Sequence, residues 1–448
     1  MSARSEDTVD KTDQDKADRV ASDSHIGGQP TIAVIGDGQL ARMMQPAAAE
    51  LGQSLRLLAS DTSASAAQII PDVVIGDYTN LDDLHRVASG ATAVTFDHEH
   101  VPPEHLRTLQ SEGVNVEPGP DALLYAQDKL AQRKKLREMG LPVPPFMAME
   151  SVDDARQFWH VMDGDVCIKA CRGGYDGHGV WFPESEDECA DLVAILIDDG
   201  TPAMAERKVH LVRELSAMIA RTPSGETALW PVVESVQKDG ICWLAIAPAP
   251  GLEPSLRDEA QRIATRIATE LGVTGVMAVE LFETTDVDGY PAVVVNELAM
   301  RPHNTGHWTQ DGCVTSQFEQ HLRAVADMPL GSTAMTADCT VMANVLGGGE
   351  DPDMAWSERM VHVWKRFPEA KIHFYGKGFW PGRKIGHVNI SASLVSDSGD
   401  PSSSAGSSSE QSNAVSPDDV RKKAQEAAYF LVHGRWPEIL TRFGAARQ

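Results

Sequence analysis

Between Gly275 and Thr309 the chain carries two apolar runs followed by a dense polar cluster, and this stretch restricts the fold more than any other. GVMAVELFE (275–283) and the valines at 293–295 are rich in β-branched residues and read as buried strands. Asp288-Gly289 lies between them and is a strong hairpin signal. A two-residue loop at that point sets Glu280 directly opposite Glu297. Two carboxylates facing each other across a ladder are destabilising by roughly 0.2–1 kcal/mol when nothing compensates. A divalent cation removes that penalty, and hard oxygen donors favour Mg²⁺ or Mn²⁺ over Zn²⁺. On pattern alone the alternative is a longer loop with both carboxylates solvated on an open face. Arg301, His303, Asn304, His307 and Trp308 follow the second strand. Polar groups on a loop at the end of a buried strand are held by a rigid scaffold, which is where chemistry is usually placed.

The 448 residues leave room for two or three domains. A net charge of −26 argues against nucleic acid or an anionic membrane as a main partner. A small anionic substrate stays open, because local basic clusters can still hold phosphate. The cysteines (167, 171, 189, 242, 313 and 339) form no CxxC pair and read as small thiols in a reducing compartment. No apolar run reaches the roughly 18 residues of a spanning helix. Residues 1–29 are polar and charged without a hydrophobic segment, so a disordered acidic tail is expected there rather than a signal peptide, and the protein is expected in the cytoplasm.

Order is expected to begin at TIAVIGDGQLARMM (31–44), a short strand, a glycine-rich turn and a helix. Gly36, Gly38 and Ala41 fit a dinucleotide fingerprint, with Asp61 about where a ribose-binding acid would stand. The same unit also binds a simple phosphate at the helix N-terminus, and Gln39 adds an amide that a dinucleotide loop does not need. ATAVTFDHEHVP (91–102) is a strand running into a polar loop. His98, His100 and His105 there lack the helical spacing of a zinc pair, and Pro102-Pro103 breaks any helix through them. One helix is expected over 121–140, ended by Gly140 and followed by Pro142 and Pro144. VCIKACRGGYDGHGVWF (166–182) reads as strand, glycine-rich flap, strand, with Lys169 aimed at phosphates and the flap N–H groups able to meet them. A plain hairpin is the alternative. Ser255 to Leu271 is an amphipathic helix, with Ser255 and Asp258 expected as its capping box. In HFYGKGFWPGRKIGHVNI (373–390), Lys377, Arg383 and Lys384 form a basic cluster, either an anion site or a solvated turn. Residues 396–417 are Ser/Gly/Asp-rich and read as a disordered insertion, and a helix over about 417–432 packs back on the last domain.

IGDGQLARMM, FDHEHVP, RGGYDGHG, RELSAMIAR, GVMAVELF, NELAMRPHNTGHWT and PGRKIGHVN occur in this order. Together they closely resemble the 5-(carboxyamino)imidazole ribonucleotide synthases of purine (IMP) biosynthesis, members of the ATP-grasp superfamily, over about residues 31–390. The resemblance implies an α/β fold (α+β overall). A Rossmann-like domain would span 30–125 and an ATP-grasp domain 126–328, its flap subdomain about 142–210. A small C-terminal domain, 329–448, would carry the insertion. It implies a homodimeric ligase that joins 5-aminoimidazole ribonucleotide, bicarbonate and ATP, with release of ADP and phosphate.

The residue roles below are likewise implied by the resemblance. Lys129 and Lys169 contact the nucleotide, and Gly173, Gly174, Tyr175, Asp176, Gly177, His178 and Gly179 form the flexible loop over it. Glu206, Arg207, Lys208 and Val209 hold the adenine, and Glu214 takes the ribose hydroxyls. Glu280, Asn296 and Glu297 make up the metal-binding set for Mg²⁺ or Mn²⁺. Gln39, Glu99, Tyr175, Asp176, Arg301, His303, Asn304, Lys377, Arg383 and Lys384 gather the ribonucleotide and bicarbonate. Asp176, Arg301, His303, Asn304 and Lys377 are the expected catalytic residues. The chain departs from the family pattern at four places. His178 stands for a usual Arg, Met300 for a frequent Pro, Gln237 for a nucleotide-site His and Trp380 for a frequent Arg.

Overall fold

The structure is a computed structural model that describes residues 28–438 except 175–177, 239, 287 and 395–414. Tyr175, Asp176 and Gly177, almost all of the expected tail and most of the expected insertion therefore lie outside the described residues.

Four short strands open the chain, β1 (Thr31–Ile35), β2 (Ser54–Ala59), β3 (Asp72–Ile75) and β4 (Ala93–Phe96), in a parallel sheet of order β3-β2-β1-β4. β1 and β4 are almost wholly buried, which is why they read as continuous apolar runs rather than alternating ones. The helix Gln39–Glu50 follows β1 and buries Leu40, Ala41, Met43, Met44, Ala47 and Ala48 against the sheet.

A second sheet is built from β5 (Phe146–Met149), β6 (Val166–Ala170), β7 (Val180–Trp181) and β8 (Ala203–Arg207), antiparallel in the order β5-β8-β6-β7. The helices Val152–Val161 and Glu186–Asp198 cover it over a small core of its own. β6 and β7 flank the glycine-rich segment, as the sequence leads one to expect.

The large sheet holds β9 (Arg213–Arg221), β10 (Thr227–Leu229), β11 (Val233–Lys238), β12 (Ile241–Ala247), β13 (Gly275–Thr285), β14 (Pro291–Ala299), β15 (Cys339–Leu346), β16 (Lys371–Phe374) and β17 (Lys384–Ala392). Its order is β14-β13-β9-β11-β12-β15-β17-β16, with β10 paired to β9. β12 pairs with β15, so the sheet runs without a break from the central region into the C-terminal one. The helix Pro254–Glu270 packs its apolar stripe on β9, β13 and β14, and the helix Pro417–His433 covers β15 and β17. Among the described residues no helix is long and apolar enough to cross a membrane.

Three local expectations need correction. The β13–β14 connection is not a two-residue loop. Thr285 pairs with Pro291, leaving five residues between the strands. A bulge then shifts the register between Glu280 and Leu281, with Asn296 as the extra residue, and the shift restores Glu280 opposite Glu297. The helix expected over 121–140 is two, Pro120–Gln127 and Lys129–Glu138. Asp128 interrupts them in an extended conformation, its carboxylate caps Ala131 N–H, and the Lys129 N–H bonds Cys171 O at 2.8 Å. A short acidic side chain that satisfies a nearby N–H offers the backbone an alternative to continuing the helix. Finally, Pro254 starts its helix at the first position, so Ser255 lies inside the first turn and caps nothing.

Candidate active site

A cleft of about 1990 Å³ runs between the small sheet, the edge of the large sheet and the C-terminal ends of β1 and β4. A single small-ligand pocket is on the order of 300–1,000 Å³, so there is room for two ligands side by side. Of the described residues to which the resemblance assigns a nucleotide, metal or substrate role, all but Gly179 line this cleft.

On one side, Lys169 of β6 is buried, and its Nζ lies 2.6 Å from Glu206 Oε2 on the neighbouring β8. The same ammonium reaches Asn296 Oδ1 at 3.3 Å. Glu206 is itself buried. Desolvation pushes its carboxyl up, but Arg133 and then Lys169 outweigh this and hold it at about 2. Its side chain therefore faces inward, toward cations rather than toward the mouth of the cleft. Arg207 is exposed, and the Lys208 ammonium lies 5.5 Å from the Phe182 ring centroid. Glu214 on β9 is desolvated to about 7, with Gln237 as its hydrogen-bonding neighbour.

At the centre of the cleft the bulge places Asn296 beside Lys169 and Glu297 beside Lys129. Glu297 Oε1 pairs with Lys129 Nζ at 2.5 Å. Across the ladder Glu280 is pushed up to about 8, first by desolvation and then by the charges of Glu297 and Glu214. This donor set is made of hard oxygens, with two carboxylates facing each other, which fits a divalent cation of the Mg²⁺ class. Among the described residues no group of three or more His, Cys, Asp or Glu side chains could hold an ion alone. An ion here would complete its shell with substrate phosphates and water, as Mg²⁺ ordinarily does. The three histidines near β4 do not converge on a metal. His98 stacks on His100 at 5.3 Å, while His105 Nε2 bonds Thr79 O at 3.0 Å.

On the far side Arg301 Nε donates to Glu99 Oε2 at 2.7 Å. Met300 is fully buried in the core beneath, and its N–H donates to Glu99 Oε1 at 3.2 Å. A proline at 300 would lack that donor, which accounts for one departure from the family pattern. The Thr305 N–H donates to His303 Nδ1 at 3.4 Å, which assigns the ring proton to Nε2, 3.3 Å from Glu280 Oε1. Burial and then Arg301 push His303 down to about 3, so the ring is neutral. Both amide atoms of Asn304 are buried without a partner among the described residues. Lys377 Nζ donates to Gln39 Oε1, and the charges of Arg383 and Lys384 reach it. Trp380 is exposed at the rim of the cleft.

The dinucleotide expectation meets a direct obstacle. Gly38 N–H donates to Asp97 Oδ2, so the chain's own carboxylate occupies the start of the helix Gln39–Glu50. A Cβ at Gly38 would lie 2.4 Å from that oxygen. Gly36 has φ +105°, and a Cβ there would lie 2.7 Å from His98 Cδ2. The glycines thus make room for Asp97 and His98. Asp97, in the charge field of Arg301 and Lys377, was not singled out from the sequence. Nor was Gln317, whose amide bonds both His303 N and His303 O and also touches His307 Nδ1 at 2.9 Å. Arg133 was missed as well. It sits in the charged run QRKKLRE, where nothing separates a buried base from a solvated one.

Three family profiles match consecutive parts of the chain. They are a ribonucleotide synthetase preATP-grasp domain over residues 30–127, an ATP-grasp domain over 134–318 and a phosphoribosylaminoimidazole carboxylase C-terminal domain over 340–398. The N5-carboxyaminoimidazole ribonucleotide synthase of Corynebacterium ammoniagenes is 55% identical over 415 residues, 93% of this chain and 95% of that protein. That of Mycobacterium leprae is 48% identical over 94% of this chain and 93% of its own. Among solved structures, the synthetase from Thermus thermophilus superposes with a TM-score of 0.74 at 32% identity, covering 91% of this chain and 99% of that one. The Aspergillus clavatus synthase, solved with ADP and 5-aminoimidazole ribonucleotide, gives 0.72 at 29% identity, covering 81% and 94%.

Proposed function

The chain belongs to the N5-carboxyaminoimidazole ribonucleotide synthases of the ATP-grasp superfamily, and on that premise we propose how its own residues divide the work. It is an ATP-dependent ligase of purine biosynthesis that carboxylates 5-aminoimidazole ribonucleotide to 5-(carboxyamino)imidazole ribonucleotide.

In this reading bicarbonate is the carboxyl donor. It is a poor electrophile, and a phosphoryl group from ATP activates it as carboxyphosphate, with ADP leaving. The ribonucleotide amine then attacks the carboxyl carbon, phosphate departs and the amine loses a proton. Phosphoryl transfer asks for in-line positioning and charge neutralisation rather than covalent help from the protein. Lys129 and Lys169 supply fixed cations beside the phosphates. A bound Mg²⁺, held by Glu280 and Glu297 with Asn296 beside them, would add neutralisation of the phosphate oxygens. Glu214 is assigned to the ribose hydroxyls and the segment Glu206–Val209 to the adenine, with the Glu206 side chain turned inward on Lys169. The glycine-rich flap, including Tyr175 and Asp176, would exclude water from an intermediate that hydrolyses readily.

Arg301, His303 and Asn304 are assigned to bicarbonate or the intermediate. The paired Arg301 and the neutral His303 present donors, and Asn304 offers both amide atoms. Lys377 and Arg383, with Lys384 and Gln39, are assigned to the ribonucleotide phosphate, since a dianion favours several cations. Asp176 is assigned to the exocyclic amine. We further assign the enzyme to the cytoplasm as a homodimer and keep the domain limits drawn from the sequence.

The observation that carries the reading is the single cleft in which the Glu280–Glu297 pair stands between Lys169 and Arg301. Turnover with ¹⁸O-labelled bicarbonate tests it. Label appearing in the released phosphate supports carboxyphosphate, and unlabelled phosphate contradicts it.

A further inference from the structure

Arg133 lies on the helix Lys129–Glu138, one turn beyond Lys129, and its side chain is 1% exposed. A guanidinium is seldom buried unless each N–H has a purpose. Here Nε donates to Glu206 Oε1, Nη1 to Gln132 Oε1 at 2.7 Å, and Nη2 to the backbone carbonyl of Asn296. The first contact reaches the small sheet and the third reaches the bulge of the large one. Glu206 holds Lys169 with its other oxygen, and Asn296 precedes Glu297.

We propose that Arg133 is a positioning residue for phosphoryl transfer, its rigid fork locking the anchor of Lys169 to the bulge that carries Asn296 and Glu297. The two groups sit on different sheets, and one triphosphate has to meet both. Arg133 also sets the charge. Glu206 between two cations leaves the trio with a net positive charge, so Lys169 can be shared with a phosphate. Without Arg133, Lys169 and Glu206 neutralise each other, and the ammonium is tied to a buried carboxylate.

The inference rests on the ATP-site reading above. Steady-state kinetics with ATP and the ribonucleotide varied separately test it, alongside thermal unfolding. Arg133→Met should lower kcat/KM for ATP about ten- to a hundredfold, the scale of a roughly 1 Å misplacement. Arg133→Lys keeps the charge but cannot span both partners. It should lose kcat while ATP affinity by calorimetry stays within about threefold. The double variant Arg133→Met/Glu206→Gln frees Lys169 from its lone carboxylate and should recover about tenfold of the single variant's loss. It also replaces the buried carboxylate, left with one cation in place of two, by a neutral amide, so it carries the test if Arg133→Met does not fold. The ribonucleotide KM should stay within about threefold throughout.

An unchanged kcat/KM for ATP in folded Arg133→Met overturns the proposal. So does a loss shared equally by both substrates, or the absence of recovery in the double variant. Lys169→Ala separates the two levels. Unaltered ATP kinetics there sink the ATP-site reading, whereas a loss there with intact Arg133→Met sinks only the role of Arg133.

Discussion

Replacing Glu297 by glutamine removes one charge and keeps the side-chain volume, so its effects on folding and on chemistry can be weighed separately. Two terms oppose each other in folding. The Lys129–Glu297 pair, with side chains 13% and 39% exposed, is a partly screened bridge worth up to about 1 kcal/mol. Against that, the carboxylate opposite Glu280 disappears, which relieves roughly 0.2–1 kcal/mol. Stability should therefore stay within about 1 kcal/mol, a Tm change of no more than about 4 °C for a domain of this size. The chemical term is larger. Losing a group that neutralises a developing oxyanion costs about 10²–10³ in kcat, or about 2.7–4 kcal/mol. A phosphate-release assay at saturating ATP and Mg²⁺, run beside a thermal melt, reads both terms. The expected result is a near-normal melt with turnover reduced at least a hundredfold. Turnover within about threefold of the parent, with unchanged Mg²⁺ dependence, would refute the assignment of the metal to this pair.

Other substitutions probe different parts of the account. Lys377→Ala should raise the ribonucleotide KM about ten- to a hundredfold, the worth of a charge-assisted contact, with the ATP KM unchanged; initial rates with each substrate varied decide it. Gly306→Ala sets a Cβ 2.4 Å from Gln317 Oε1 and 2.5 Å from Met218 Cε. That overpacking should cost about 1–3 kcal/mol and, through Gln317, displace His303, lowering both Tm and turnover. His321 is fully buried between Thr95 Oγ1 and Val276 N, and desolvation holds its pKa down at about 3. Its folded pKa lies below the unfolded one, so its contribution is complete above about pH 6.5 and is lost as the pH falls toward 3. Urea titrations should show about 1.4 kcal/mol less stability at pH 5.5 from this residue, a slope that His321→Gln removes.

The sequence was most legible where hydrophobic period and chemistry coincide. β13 and β14 are apolar and β-branched, and their polar ends are unmistakable. The Glu280–Glu297 pairing was expected from a two-residue loop, yet the loop has five residues and the bulge at Asn296 restores the register. Periodicity alone does not reveal a bulge, because one extra residue leaves the composition of both strands unchanged. Asp128 stands in a run of good helix formers, and the break there comes from its cap on Ala131 N–H together with the tertiary bond from Lys129 N–H to Cys171 O. Arg133 was illegible for a related reason. Its burial depends on two strands distant in sequence, and locally it is one base among several. Met300, unexplained from the sequence, became intelligible once Glu99 was seen beneath its N–H. Gly36 and Gly38 showed that a tight turn follows β1 but not what fills it, and Asp97 rather than a cofactor does.

The most direct test of the central claim is phosphate release measured with each substrate omitted in turn. The account predicts that release requires ATP, the ribonucleotide and bicarbonate together. Full release without the ribonucleotide, or with formate in place of bicarbonate, would contradict it.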